Sequence, residues 1–500
     1  QVERAVGDLS FAPAVNSYVY SIALQPDGKV IIGGPFTGVA GVPRRGLARL
    51  DGTTGALDPF DANLDSVVYA VTLQQDGKIL VGGGFENAGG QARGRVARLN
   101  ADGTLDPGFN PNANNVVGSL AVQQDGKIII GGNFSSIGGE SRNFLARVDG
   151  ATGVADSWNP NANDGIRSMT IQLDGKVLVG GRFTAIGGQS RNYIARLDSA
   201  TGAADAFDPN AGSVVYSLAL QSNGKILASG AFSSIGGQPR NYIARLDGTT
   251  GLADSFDPNA NSYVYSLALQ PDGKILAAGQ FTAVGGQPRT MLAKLTNDTL
   301  ALSTLSSTRS RITLTRDGSG PQFSRVIYSY STDNGATFTT IGQGTVNAPE
   351  AAAHGRNGER QLAPAAPGGT SYIFNYPNLP IGQNVLIRAR GYYLSGYQNG
   401  SESVEDKVQN VFVLGPTAAS VSVSGRVMSG KGGVANASVT LTDDQGVTKT
   451  TRTSSLGYYQ FDEVSGGQTY IVAVQAKGYW FAPQLTTINE DMTEFNFVAQ

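Results

Sequence analysis

The chain repeats itself every 49 residues. The glycine of the turn Asp27-Gly28-Lys29 returns at 77, 126, 175, 224 and 273, with no insertion between copies. A phenylalanine keeps step at 36, 85, 134, 183, 232 and 281, and an arginine at 44, 93, 142, 191, 240 and 289. A repeat held in phase this way is one supersecondary unit, too small to bury its own faces and dependent on its neighbours to cover them. The fifth copy shows the unit well. Ser213 to Leu220 is followed by Gly224-Lys225-Ile226-Leu227, then Asn241-Tyr242-Ile243-Ala244-Arg245-Leu246, then Asp254-Ser255-Phe256-Asp257-Pro258. Four short runs rich in β-branched and aromatic residues, separated by Asp-Gly, Gly-Gly and Thr-Gly turns, predict an up-and-down antiparallel sheet of four strands. Arranged radially, such sheets cover one another and leave little exposed edge, so the pattern predicts an all-β, six-bladed β-propeller. Helical repeats are disfavoured, since interior glycine costs about 1 kcal/mol per position and no 3.6-residue period persists for ten residues.

The first run of each copy alternates large residues (Tyr216, Leu218, Leu220) with small ones (Ser217, Ala219). Crowding at an axis explains the small face, so this run is expected to be the innermost strand. The register also bears on closure. Copy six ends at Leu295, and the aromatic due at 305 is replaced by Leu305, whereas Phe11-Ala12-Pro13 stands six periods earlier. The N-terminal strand is therefore expected to complete the last blade and close the ring. The unit Leu-Gln-x-Asp-Gly-Lys-Ile-Leu…Gly-x-Phe…Gly-Gly…Arg…Ile-Ala-Arg-Leu-Asp resembles the delta-60 repeat of bacterial secreted and surface proteins, over about 290 residues. The resemblance implies a β-propeller and no shared activity.

Beyond Leu295 the period is lost, which divides the chain into a propeller (1–297) and two further segments (298–416 and 417–500). The first has two-residue patterning in Ser310-Arg311-Ile312-Thr313-Leu314, Val326-Ile327-Tyr328-Ser329-Tyr330 and Val385-Leu386-Ile387-Arg388-Ala389-Arg390, which suits a β-sandwich. With Leu379-Pro380 ahead of the last of these, the segment looks like the latter half of a fibronectin-type-III module. A divergent seventh blade over 298–345 is the rival reading, but it leaves the strands between 371 and 413 without partners. Residues 346–370 read as a loop. The final segment resembles the carboxypeptidase regulatory-like, transthyretin-like β-sandwich through Ser424-Gly425-Arg426-Val427, Val439-Thr440-Leu441-Thr442-Asp443, Gly457-Tyr458-Tyr459-Gln460-Phe461 and Ala476-Lys477-Gly478-Tyr479. That resemblance implies a stalk, spacer or docking unit without catalysis.

Composition excludes several chemistries. There is no cysteine, hence no disulfide, thiol nucleophile or zinc ribbon, and the single histidine, His354, rules out multi-histidine metal centres. A net charge of −2 gives no electrostatic case for nucleic acid, and no apolar run reaches the ~18 residues of a transmembrane helix. The chain begins at Gln1 without an initiator methionine or a charged-then-apolar leader, which reads as a mature secreted protein; the C-terminus carries no lipidation or retention motif.

Ser331-Thr332-Asp333-Asn334-Gly335-Ala336-Thr337-Phe338 fits an Asp-box, a single copy whose mechanics are those of a folding hairpin. His354 sits in Ala351-Ala352-Ala353-His354-Gly355, within the expected loop and with no partner network for a base. The arginines from Arg44 to Arg289 recur in every copy and read as architecture, their guanidinium forks bonding turn carbonyls. The repeated aspartates include no symmetry-breaking pair suited to glycoside hydrolysis and no calcium loop. The informative positions are those where copies differ. At the head of the inner strand stand Tyr20, Tyr69, Gly118, Arg167, Tyr216 and Tyr265. Four tyrosines and an arginine around a gap would form a platform at one channel mouth for a sugar or peptide, by stacking and hydrogen bonding; tyrosines that merely plug the funnel are the plainer alternative.

These features together predict a non-catalytic extracellular structural or adhesive protein of the bacterial surface type. Its partners are expected to be protein or glycan at the cell surface, with self-assembly into a fibre as one form. No cofactor, metal, nucleic acid or membrane insertion is expected. The alternative is a lectin-like receptor using the channel mouth, and a carbohydrate-active enzyme comes third.

Overall fold

The computed structural model describes residue 11 and residues 13–500, apart from 308–310, 348–369, 376–378, 381–382, 396–400, 414–417, 431, 444–445, 467 and 489–490. His354 and most of the expected 346–370 loop lie outside the described residues. Each repeat forms a blade of three antiparallel strands in the order first–second–third. In blade two these are Val68–Leu73, Ile79–Gly83 and Val96–Leu99. In blade four they are Ile166–Ile171, Val177–Gly181 and Ile194–Leu197. A two-residue hairpin separates the second and third strands, as at Ala185–Ile186 with Gln189–Ser190.

The first strand is innermost: the first strands of adjacent blades pack on one another from blade one to blade six. The small side chains on this strand have a specific task. Ser21 Oγ accepts the Val71 N–H at 3.0 Å, Ser168 Oγ the Leu218 N–H at 3.1 Å and Ser217 Oγ the Leu267 N–H at 3.2 Å, so a serine ties its strand to the next blade's backbone.

The fourth run corrects the four-stranded expectation. It is irregular and meets the sheet through a single bridge, Leu197 to Ala204 or Leu246 to Ala253. Its aromatic residue leaves the blade and packs in the seam with the following one. Phe207 lies with Leu178 and Ile194 of blade four and with Val215, Leu218 and Ile226 of blade five.

Closure also differs from expectation. Phe11 packs with Ile32, Phe36, Val39, Ala48 and Leu50 of blade one, the counterpart of Phe60 on blade two. Asn16 Oδ1 accepts the Thr37 and Gly38 N–H groups, as Asp65 Oδ1 accepts those of Glu86 and Asn87. The described N-terminal residues thus form the seam element of blade one, and none of them pairs with the third strand of blade six, Leu292–Leu295, whose described partner is Ile275–Gly279. Among the described residues no blade has a fourth ladder strand. The end faces stay open: Leu292 is 61% exposed and Ile22 48%, whereas their equivalents Ile243 and Val71 are both fully buried.

Two sheets follow the propeller. One runs Ala301–Ser307, Arg311–Gly318, Thr370–Asn375, Thr345–Asn347, and the other Thr339–Gln343, Arg325–Ser331, Gln383–Ser395, Ser401–Val413. This is the strand order of immunoglobulin-type sandwiches, and it gives the strands after 370 the partners that a seventh blade would have denied them. Tyr328 Oη donates to Tyr372 O at 2.6 Å across the sheets, and Tyr372 Oη to Phe323 O at 2.9 Å.

The C-terminal residues make two more sheets. One combines Ala418–Ser429, Tyr458–Gly466 and Phe497–Val498, the other Ser438–Thr442, Thr448–Arg452, Gln468–Gln475 and Gln484–Ile488. They enclose their own core of Val423, Val427, Val439, Leu441, Phe461, Val472 and Phe497. Among the described residues no helix is long and apolar enough to cross a membrane.

Candidate functional site at the channel mouth

The inner strands have two ends, and the structure treats them differently. At their C-terminal ends the sandwich that follows the propeller covers the channel. Gln322 N–H bonds Leu220 O at 2.9 Å, Ser222 N–H bonds Gly320 O at 2.8 Å, and Asn223 N–H bonds Gly318 O at 3.0 Å. Arg325 Nη1 reaches Leu73 O at 2.9 Å while its guanidinium stacks on Tyr392. Of the spaces left there, one of about 50 Å³ is lined by Thr72, Ala121, Thr170 and Leu220 from four blades and by Gln322, Arg325 and Leu394 of the sandwich, and a larger one of about 550 Å³ lies against Ile171, Gln322, Phe323 and Ser324. Ala23 even pairs with Glu402 as a parallel bridge, joining blade one's sheet to the sandwich.

The N-terminal ends remain open. In blades two to six the head residue falls at a register shift of the ladder: between Val68 and Ala70, Val117 and Ser119, Ile166 and Ser168, Val215 and Ser217, and Val264 and Ser266. Tyr69, Gly118, Arg167, Tyr216 and Tyr265 are therefore the extra residue of a β-bulge. A bulge releases its side chain from the pleat and re-aims it, which is why bulges gather beside binding sites.

A cavity of about 460 Å³ opens at this mouth, lined by Tyr20, Tyr69, Val116, Gly118, Gly132, Asn133, Ile166 and Arg167. Tyr20 and Tyr69 stack with centroids 5.6 Å apart and planes 10° from parallel, and Tyr18 continues the stack at 6.4 Å from Tyr20. Beside them, at the head of blade three's inner strand, Gly118 contributes no side chain. The Nε of Arg167 is buried without a hydrogen-bond partner among the described residues. Asp164, the nearest acid in sequence, accepts the Gly165 N–H at 2.6 Å.

Of the five residues singled out from sequence, the structure gathers Tyr20, Tyr69 and Arg167 around this cavity. Tyr216 and Tyr265 pair with each other at 5.3 Å, with Tyr263 at 6.5 Å from Tyr265, and lie outside its lining. Sequence reasoning missed Asn133. Its position, directly after the glycine pair of the second strand, reads Pro35, Gly84, Asn133, Arg182, Ala231 and Gln280 across the copies. That second variable position was visible in the alignment of repeats. The Asn133 N–H bonds Val116 O and the Arg182 N–H bonds Gly165 O, which seats both residues beside the heads of the inner strands.

The other candidates resolve as architecture. Arg142 donates to Ser141 O at 2.8 Å and Asp156 O at 2.6 Å, and Arg191 to Ser190 O and Asp205 O likewise, so these guanidinium forks hold turn carbonyls. In the Asp-box hairpin Asp333 accepts from Ser331 Oγ, Thr337 N and Thr337 Oγ1 at 2.6 to 2.9 Å, with Asn334 and Gly335 at positive φ. Those bonds, led by Ser331 and Thr337, hold the Asp333 carboxyl down to about 2. Its carboxylate is spent on the turn.

A family model described as "Domain of unknown function (DUF5122) beta-propeller" matches residues 25–60, 74–109, 123–157, 172–207, 221–251 and 270–298. A second, "Carboxypeptidase regulatory-like domain", matches residues 422–498. The chain carries six DUF5122 β-propeller repeats and a carboxypeptidase regulatory-like domain. No curated protein matches it in sequence. Among solved structures, it is similar to the WD40 β-propeller domain of Doa1, at 16% identity and a TM-score of 0.35, over 52% of this chain and 76% of that one. YCF48, solved with a D1 peptide, is similar at 11% identity and a TM-score of 0.37, over 63% of this chain and 94% of that one. The extracellular domain of the hybrid two component system BT4673 from B. thetaiotaomicron gives 10% identity and a TM-score of 0.37, over 82% of this chain and 52% of that one.

Proposed function

We propose that this DUF5122-repeat chain is a non-catalytic extracellular protein of structural or adhesive type, its propeller an interaction platform and its sandwiches stalk or assembly modules. The observation that carries the reading is the one-ended channel. A module that lies over one end of its neighbour's pore turns the propeller into a plate with a single working face. On that face the repeats depart from one another, while their acids are engaged in turns. Immunogold labelling of intact producing cells is the direct test. Label on unpermeabilised cells is expected, and label seen only after permeabilisation overturns the placement. Turnover of a glycoside or lyase substrate, abolished by substituting one unrepeated acid, overturns the non-catalytic part.

A second reading, a glycan receptor at the channel mouth, is favoured by the 460 Å³ cavity between the Tyr20–Tyr69 stack and Arg167. Its size falls within the roughly 300–1,000 Å³ usual for small-ligand pockets.

A further inference from the structure

The mouth is built from three positions per blade: the residue two before the head of the inner strand, the head residue itself, and the residue after the glycine at 34, 83, 132, 181, 230 or 279. In blade order these read Tyr18, Tyr20, Pro35; Val67, Tyr69, Gly84; Val116, Gly118, Asn133; Gly165, Arg167, Arg182; Val214, Tyr216, Ala231; and Tyr263, Tyr265, Gln280. Six tyrosines and two arginines stand among them, and no aspartate or glutamate. Both arginines belong to blade four. The mouth is therefore uneven: one side is aromatic and hydroxylated, and the side across the Gly118 gap is cationic.

We propose that this mouth binds a carboxylate-bearing sugar residue, such as a uronic acid unit of an acidic saccharide, with its carboxylate on Arg167 and its ring against the Tyr20–Tyr69 stack. The inference rests on the glycan reading of the mouth and adds the ligand's charge. Three observations carry it. Arg167 lines the cavity, and no acid stands among the mouth positions to compete for its guanidinium, whose planar Nη pair matches a carboxylate in bidentate geometry. The opposite wall is a pair of parallel tyrosine rings, which offer a flat face and hydroxyls to an amphipathic ring. Between them Asn133 supplies both donor and acceptor, and Gly118 and Gly132 leave the space open. Aliphatic lining is limited to Val116 and Ile166, which favours a polyhydroxylated ligand over an apolar peptide side chain.

The repeat supplies variants that respect the fold. Arg167→Tyr and Gly118→Tyr each install the residue that four other blades carry at the head of the inner strand, and Gly118 is not at positive φ. Circular dichroism melts of the full chain check that both variants fold; a third variant, Arg182→Gln on the exposed rim, stands in if either fails. Calorimetric titration of the full chain uses oligomers of galacturonate, glucuronate and N-acetylneuraminate, the methyl ester of the galacturonate oligomer, and tri-glutamate. At least one acidic saccharide is expected to bind, with its uncharged ester weaker by roughly tenfold or more, the scale of one charge-assisted hydrogen bond. Arg167→Tyr should erase that difference, Arg182→Gln should reduce it, and Gly118→Tyr should block both ligands.

Equal binding of acid and ester, blocked by Gly118→Tyr and untouched by Arg167→Tyr, overturns the charge inference and leaves the glycan site standing. Binding of tri-glutamate alone, dependent on Arg167, replaces the sugar with an acidic peptide. Saccharide binding that survives Gly118→Tyr, or no binding of any saccharide, overturns the site itself.

Discussion

Asp58 shows how single residues hold the repeats together. Its carboxylate takes Lys29 Nζ at 2.9 Å and Arg49 Nη2 at 2.8 Å, while Arg49 Nη1 reaches Ala101 O in the next repeat at 2.6 Å and its guanidinium lies over the Phe60 ring. The pattern recurs as Lys78–Asp106–Arg98, Lys127–Asp156–Arg147, Lys176–Asp205–Arg196 and Lys225–Asp254–Arg245. Partial burial alone would raise the Asp58 carboxyl, but bonds from Lys29, Arg49 and the Phe60 N–H outweigh it and hold the group down to about 2, from an ordinary 3.8. The four equivalents are lowered for the same reasons. A carboxyl whose folded value lies below its unfolded one contributes stability above the unfolded value and loses it as pH falls toward the folded one. The melting temperature is therefore expected to drop steeply between about pH 4 and about pH 2, and Asp58→Asn should flatten that drop in differential scanning fluorimetry. The arginines from Arg44 to Arg289 could be read as architecture because they stand in turns. The second set, Arg49 to Arg245, escaped notice because it sits inside a strand motif. Its signal was there: an aromatic at 60, 109, 158, 207 and 256 keeps a constant distance from each.

At the scale of the blade, the period, the number of repeats and the innermost strand were legible because phase and side-chain size are direct readouts of packing. The fourth strand was not. Asp-Ser-Phe-Asp-Pro has the composition of a strand end, but the aspartate is drawn into the ion pairs above and the aromatic into the seam, so the ladder stops after three strands. The closing strand failed for the same reason. The seam makes a sharp comparison available: Ile243 and Leu292 occupy the same register, one fully buried against the next blade and the other 61% exposed. Ile243→Asp places an unpaired charge in a packed seam and should cost about 4 kcal/mol or more in urea denaturation. Leu292→Asp should stay within about 0.5 kcal/mol. Equal losses would mean that blades six and one meet in solution.

On the scale of the whole chain, two compact units emerge, the propeller with most of the middle sandwich in one and the C-terminal domain in the other. Calorimetry should resolve two transitions, and Val439→Ala, which trims the C-terminal core, should lower only one of them, by about 1–2 kcal/mol. The open faces of blades one and six carry the same kinds of residue as the packed seams, so a second copy offers each of them its complement. A contact between unlike faces repeats head to tail rather than closing on itself. Sedimentation is expected to show association that grows with concentration and is lost in Ile22→Asp; a concentration-independent monomer would remove this route to a fibre. The mouth was half legible. Differences among copies pointed to Tyr20, Tyr69 and Arg167, since a repeat that departs from its siblings does so for local reasons. The bulge that aims these side chains, and the residue after the glycine pair that completes the wall, depend on strand register, which composition does not encode.

The covered base of the channel has one more consequence. With the sandwich seated over its base, the mouth does not favour threading, so an unbranched polymer would present its terminus or a short side branch there. Capacity for a polysaccharide would then scale with the number of chain tips rather than with total mass. Trimming a long glycan into fragments would multiply the binding sites it offers, and capping its tips would silence it.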